Sequence, residues 1–214
     1  VNKSSTKELA NTKLSHFSLI ELMLAKFKSW GSAVYIGYNT ISFDEEFLRK
    51  SLFKNLFDPY LTINNGNKRT DLLNILRANH AYYPDSIKIP VNEKGKLVFK
   101  LDQVAPLNGI TDFSAHDAIG DSIATIELAK LINKKNPELW ETSLLTTSRA
   151  DTDNIIKNNK IFCITETFFG KTMPFIVSLL CFHPKYKWAQ CFDLKRDPED
   201  YINLTQESLE HFMS

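Results

Sequence analysis

The sequence predicts an α/β fold, and three observations carry that expectation. Segments with apolar residues at helical spacing alternate with a short apolar, β-branched and aromatic run in the first two thirds of the chain. Beyond Pro137 the texture changes to strand-like runs punctuated by turn residues. The length, 214 residues with 43% hydrophobic and 24% charged, suits one large domain or one and a half.

Leu19 to Trp30 places Leu19, Leu22, Met23, Phe27 and Trp30 at helical spacing and ends at Gly31-Ser32, which predicts an amphipathic helix. Ala33 to Tyr38 has the apolar, β-branched and aromatic make-up of a buried strand. Asp44 to Phe53 returns to helical period through Phe47, Leu48 and Leu52. Asp71 stands just before the helical run Leu72 to Asn79, in the position of an N-cap, and capping alone would account for it. Residues 84–100 carry Pro84, Pro90, Asn92 and Gly95 and read as a connecting excursion. Helices are expected over Leu101 to Asn108 and His116 to Lys130. Ile161 to Phe169, Phe175 to Phe182 and Trp188 to Leu194 read as strands, the last two joined by the hairpin-like loop His183 to Lys187. A boundary in the polar segment Thr146 to Asn159 divides the chain into domains at 1–145 and 146–214.

Composition excludes some classes. The longest apolar run, Phe175 to Phe182 with Ser178 inside it, is too short to cross a bilayer, so no membrane partner is expected. Val1 to Lys7 has neither an initiator Met nor the apolar core of a signal peptide and reads as a chain entered partway. Three cysteines, Cys163, Cys181 and Cys191, without Cys-x-x-Cys spacing argue for buried free thiols in a reducing cytoplasm. The net charge of +1 advertises no polyanion partner globally. Local lysine patches, such as Lys185 with Lys187, would have to supply any nucleic-acid contact, and solvated surface charge explains each patch taken singly.

The chemistry-bearing residues fall in two places. The predicted strand runs into Asn39-Thr40-Ile41-Ser42-Phe43-Asp44, and Ser114 to Gly120 brings His116 to the mouth of a helix with Asp121 five residues on. Hydrolysis of a phosphodiester needs a nucleophile at neutral pH and relief of developing charge, which two Mg²⁺ ions about 4 Å apart can provide. Carboxylates suit such hard ions, so Asp44 and Asp121 are the candidate ligands. His116 could orient or deprotonate the attacking water, a role worth about 10²- to 10⁴-fold in rate. Asn39, by hydrogen bonding, and Phe43, by packing, could seat a terminal nucleotide. Taken alone, Asp44, Asp117 and Asp121 could be acids of first helical turns, and His116 an ordinary histidine. The joint order of these residues favours the functional reading.

Gly37-Tyr38-Asn39 with Phe43-Asp44, Phe57-Asp58-Pro59-Tyr60, Arg69-Thr70-Asp71-Leu72-Leu73, Asn108-Gly109-Ile110, Ala115-His116-Asp117-Ala118 with Asp121, and Phe182-His183-Pro184 resemble bacterial exonuclease I. That family belongs to the DEDD exonucleases of the histidine variety. The resemblance implies a ribonuclease-H-like exonuclease domain lacking its first strands, followed by part of a small β-rich SH3-like domain. It implies 3′–5′ removal of nucleotides from single-stranded DNA with release of 5′-mononucleotides. It also implies two Mg²⁺ ions, with Mn²⁺ as an alternative, and Asp44, His116 and Asp121 as three of five catalytic positions. Single-stranded DNA is the implied partner, with single-stranded-DNA-binding protein as a second, and a monomer is expected.

The two remaining positions form an Asp-x-Glu on the first strand of that domain, where alternate residues share a face. Asp44-Glu45-Glu46 cannot replace it, since helical residues two apart point to nearly opposite sides. The chain as given is therefore expected to bind metal poorly and to cleave slowly or not at all. Two rivals stand beside this reading. One is an HD-type metal phosphohydrolase built on His116-Asp117, for which His16, His80, His183 and His211 do not supply the further pattern. The other is a non-catalytic nucleic-acid-binding module using Phe168, Phe169, Tyr186 and Trp188 beside lysines.

Overall fold

The computed structural model describes residues 7, 10–11, 13–111, 113, 117–205 and 208. The chain is mixed α/β and divides into two compact units, Val1–Asp151 and Thr152–Ser214.

In the first unit, helix α1 (His16–Ser29) starts at Ser15, whose hydroxyl accepts the Ser18 N–H, and carries Lys26 and Lys28 in its last turn. Its buried stripe is Ile20, Met23, Leu24 and Phe27, packed on Leu48, Leu52, Phe57 and Leu61. Leu19, Leu22 and Trp30, expected on that face, are exposed. The stripe 20, 23, 24, 27 also satisfies helical spacing, so the period is right but the face is rotated.

Strand β1 (Val34–Gly37) leads through a turn into helix α2 (Asp44–Lys54). It pairs in parallel with β2 (Lys68–Asp71), in the register Val34 to Lys68 and Gly37 to Asp71. The polar Lys-Arg-Thr-Asp of β2 carries no strand pattern, and no strand was expected there. Tertiary context imposes it: the Asn67 side chain accepts the Ala33 N–H at 3.0 Å and donates to the Leu61 carbonyl at 2.7 Å, starting the pairing.

Helix α3 (Leu72–Tyr82) follows β2 directly, then α4 (Leu101–Leu107) and α5 (Ala118–Lys135). Leu72, Ile75 and Leu76 of α3, Val104 of α4, and Leu128 and Ile132 of α5 form the main core. Ile87 joins them, fully buried, so residues 84–100 are more than a surface connection. Asn108 ties that segment down by bonding both the N–H and the carbonyl of Lys88.

Two helices lie where the sequence shows a change of texture and a polar boundary: α6 (Pro137–Leu144) and α7 (Arg149–Asn158). Pro137 opens α6 at a position where its missing N–H costs nothing. Ser148 and Asp151 bond reciprocally at the start of α7, a capping arrangement that sets its first turn.

In the second unit, β3 (Phe162–Phe168), β4 (Lys171–Phe182) and β5 (Ala189–Asp193) form an antiparallel sheet in that order. Phe169 and Gly170, both at positive φ, make the two-residue turn between β3 and β4. A short helix, α8 (Glu199–Ile202), follows. The cysteines are free, as expected, but Cys163 and Cys181 are exposed and Cys191 is only partly covered. The expectation of buried thiols fails because this three-stranded sheet has one well-buried position, Val177, among its described residues. No helix among the described residues is long and apolar enough to cross a membrane.

Candidate functional site

Because β1 and β2 are parallel, Gly37 and Asp71 lie side by side at the same, carboxyl-terminal edge of the pair. Segments leaving that edge of an α/β sheet are where ligands bind in this class of fold. Here the segment is Tyr38 to Asp44, and it carries three of the candidate residues, Asn39, Phe43 and Asp44.

Its path is set at close quarters. A Cβ on Gly37 would collide with the Thr40 side chain, so the turn can fold back over the strand end only because residue 37 has none. Asn39 adopts φ 60°, a left-handed conformation that Asn tolerates better than most residues. The Thr40 carbonyl accepts the N–H of Phe43 at 3.3 Å and that of Glu45 at 2.9 Å, which starts α2 without a side-chain cap. Tyr38 is held by its hydroxyl, which donates to the Phe99 carbonyl at 2.7 Å. Burial pushes this phenol well above the usual tyrosine range, against the pull of Arg77, so it remains a donor.

Asp71 is 4% exposed. Its Oδ1 accepts the N–H groups of Asn39 at 2.8 Å and Leu73 at 3.0 Å, and its Oδ2 accepts that of Ile41 at 3.1 Å. It does cap α3, but capping alone is not its role. Two residues earlier on β2, Arg69 forms an ion pair with Glu45, which also meets Arg49 at 3.4 Å. Glu45 is 7% exposed, and desolvation pulls the Arg69 guanidinium below its ordinary value.

Asn39, Phe43 and Asp44 thus share one anchored segment. Asn39 and Asp44 are exposed, and the Phe43 ring, 57% exposed, lies 5.0 Å from that of Phe47. Asp44 stands in the first turn of α2 with Glu45 and Glu46, where the helix dipole favours negative charge. Asp121 stands in the first turn of α5, half-buried, its N–H donating to the Asp117 carbonyl at 2.8 Å. Asp117 caps that helix, its side chain accepting the Gly120 N–H at 3.3 Å. His116 lies outside the described residues. Among those described, no group of three or more His, Cys, Asp or Glu side chains is placed to hold a metal ion.

Sequence reasoning missed Arg69 and Glu45 as structural partners, and although it singled out Arg69-Thr70-Asp71 as a motif, the only structural role it found for Asp71 was a cap. The alternation Arg69-x-Asp71 would have shown them sharing a face had β2 been recognised as a strand.

No family model matches the chain. Exodeoxyribonuclease I of Buchnera aphidicola subsp. Acyrthosiphon pisum is 47% identical over 107 residues, 50% of this chain and 26% of that protein. The exodeoxyribonuclease I of the subspecies Baizongia pistaciae is 33% identical over 176 residues, 79% of this chain and 36% of that protein. Among solved structures, exonuclease I from Methylocaldum szegediense aligns with a TM-score of 0.78 at 28% identity, over 97% of this chain and 45% of that one. E. coli exonuclease I in complex with a dA16 oligonucleotide aligns with a TM-score of 0.77 at 26% identity, over 97% and 46%. A complex described as ExoI/SSB-Ct gives 0.74 at 25% identity, over 96% and 45%. This chain spans less than half the length of each of these proteins. Over the stretch that it shares with them, the chain is similar in sequence and in fold to bacterial exonuclease I.

Proposed function

We propose that this chain is part of a 3′–5′ exodeoxyribonuclease that hydrolyses single-stranded DNA with two divalent ions, Mg²⁺ or Mn²⁺, and releases 5′-mononucleotides. The observation that carries the reading is the anchored segment at the carboxyl edge of β1 and β2, with Asp44 at its end, in a chain matching exonuclease I over 97% of its length. Single-stranded DNA as substrate and single-stranded-DNA-binding protein as partner are supported by the complexes of the structural relatives.

Asp44 and Asp121 would hold the ions, and their hard carboxylate oxygens suit them. When bound, such ions generate hydroxide from water and neutralise charge on the phosphate. Asn39 would hydrogen-bond the terminal nucleotide, the exposed Phe43 ring would pack against it, and His116 would take the proton of the attacking water. None of the five described strands carries an Asp-x-Glu, and two carboxylates alone make a weak site. Cleavage by this chain itself is accordingly impaired.

The fold-level part of the reading is a ribonuclease-H-like domain without its first strands, followed by part of an SH3-like domain, with the boundary at residues 145 and 146. Ile119, Ile123 and Ile126, at i, i+4 and i+7 on α5, form an exposed apolar stripe, and Val34 and Ile36 of β1 are exposed too. Such surfaces are what strands of a wider sheet would cover.

The test is cleavage of a 3′-labelled single-stranded oligonucleotide with Mg²⁺. This chain should release mononucleotides far more slowly than E. coli exonuclease I, and turnover matching that enzyme would defeat the claim of impairment. In the chain extended by an Asp-x-Glu strand, Asp44→Asn or Asp121→Asn should abolish cleavage while DNA binding persists. Cleavage by both variants at the unsubstituted rate would remove the catalytic assignment.

One observation favours a second reading, a non-catalytic nucleic-acid-binding module. Tyr186 and Trp188 stack at 4.7 Å on the exposed β4–β5 loop, with Lys185 over the Tyr186 ring. Binding that survives Trp188→Leu unchanged would count against it.

A further inference from the structure

We propose that Arg69 and Asp71 are a pair of positioning residues that hold the segment Asn39 to Glu45 from its two ends. They stand at i and i+2 on β2 and so share one face of that strand. Asp71 grips the near end through the Asn39 and Ile41 amides, and Arg69 grips the far end through Glu45. Asp71 and the gripped Glu45 are buried, at 4% and 7% exposure, and Arg69 is partly buried. Between them Phe43 and Asp44 remain exposed. A segment clamped at both ends and open in the middle presents its side chains at fixed positions, which sites of precise geometry require.

The carboxylate of Asp71 does something a helix cap does not need. Capping α3 uses Oδ1 alone, toward Leu73, while Oδ2 serves Ile41, on a different element. An amide in place of the carboxylate keeps one acceptor and turns an NH₂ toward the Ile41 N–H. Asp71→Asn therefore separates the two roles within one side chain. The inference deepens the functional reading above, in that Asn39, Phe43 and Asp44 matter to a ligand only if that reading holds.

The experiment is amide hydrogen exchange by NMR on this chain and on Asp71→Asn, with Asp71→Ser as a second variant that also caps helices. Exchange at Ile41 should quicken by about tenfold or more in both, while Leu73 and the rest of α3 stay within about threefold. Unchanged exchange at Ile41, or a matching rise at Ile41 and Leu73, would overturn the positioning role. A Mg²⁺ titration followed at the Asp44 carboxyl carbon adds the second readout. Its response should require several-fold more Mg²⁺ in Asp71→Asn and in Arg69→Lys, which keeps the charge but loses the planar fork. Equal responses in all variants would also overturn the role. If the unsubstituted chain shows no response at Asp44, the metal reading fails, and exchange at Ile41 still decides the positioning role.

Discussion

At Gly37 the Thr40 side chain fills the space that any Cβ would need, and the Thr40 carbonyl is already committed to the amides of Phe43 and Glu45. Gly37→Ala must therefore push the turn outward or break the start of α2. A loss of about 1–3 kcal/mol is expected from such overpacking, measured as a lower urea midpoint at unchanged slope. An unchanged midpoint would mean that the turn relaxes freely. Glu45 poses the complementary case, a near-buried charge between Arg69 and Arg49. Glu45→Ala leaves the Arg69 guanidinium without its anion in a half-dry setting. The cost should be about 2–3 kcal/mol, below that of a fully buried broken pair because Arg69 keeps some access to water. The same substitution at exposed Glu46, paired with Lys50 at 3.1 Å on the surface, should change stability by less than about 0.5 kcal/mol.

Among the elements, those with strong period were legible in the sequence and those held by tertiary context were not. Helices α2, α3 and α5 show in their apolar spacing because burial on one side is what selects that spacing, and strands β1, β3, β4 and β5 show in their β-branched and aromatic make-up. Strand β2 is four polar residues whose pairing depends on Asn67 and on β1, so no local pattern announces it. The same blindness hid the partners of Asn39, Phe43 and Asp44, which the sequence singles out, since Arg69 and Asp71 act from β2. Helix α7 was hidden differently, its few apolar residues being diluted by Asp151, Thr152, Asp153 and Asn154 while its start depends on a cap. That cap makes α7 sensitive to acid. The Lys68 and Ser148 hydrogen bonds hold the Asp151 carboxyl below its ordinary 3.8, and those from Asn64 and Tyr60 do the same for Asp58. A carboxylate depressed in the folded state stabilises fully above its unfolded pKa, and that contribution disappears as pH falls through the lower folded value. Denaturation midpoints followed downward from pH 5 should fall more steeply for this chain than for the double variant Asp58→Asn/Asp151→Asn. Parallel curves would show that neither carboxylate is held in solution.

For the molecule as a whole, the two units differ in how much they bury. The first contains both apolar clusters, while the sheet of the second leaves two of its three thiols open to water. A thiol reagent near pH 8 should label Cys163 and Cys181 quickly and Cys191 slowly, since partial burial raises the Cys191 thiol above its ordinary value. Equal rates at all three would contradict that difference. In the first unit the contrast lies on a single helix. Ala124, Leu128 and Ile132 of α5 are fully buried, whereas Ile119, Ile123 and Ile126 face outward. Truncating the inner face, as in Leu128→Ala, should cost about 2–5 kcal/mol. The outer face packs far less than the inner one, with Ile119 71% and Ile126 53% exposed, so Ile119→Lys/Ile126→Lys should change stability by less than about 1 kcal/mol. The same double variant should bind less of an apolar dye and show less self-association at high concentration, because a contiguous apolar stripe in water is a surface that recruits a cover. A destabilisation above about 2 kcal/mol would show instead that the stripe is packed in solution. The case for a domain whose sheet is wider than the pair β1 and β2 would then lose its main physical support.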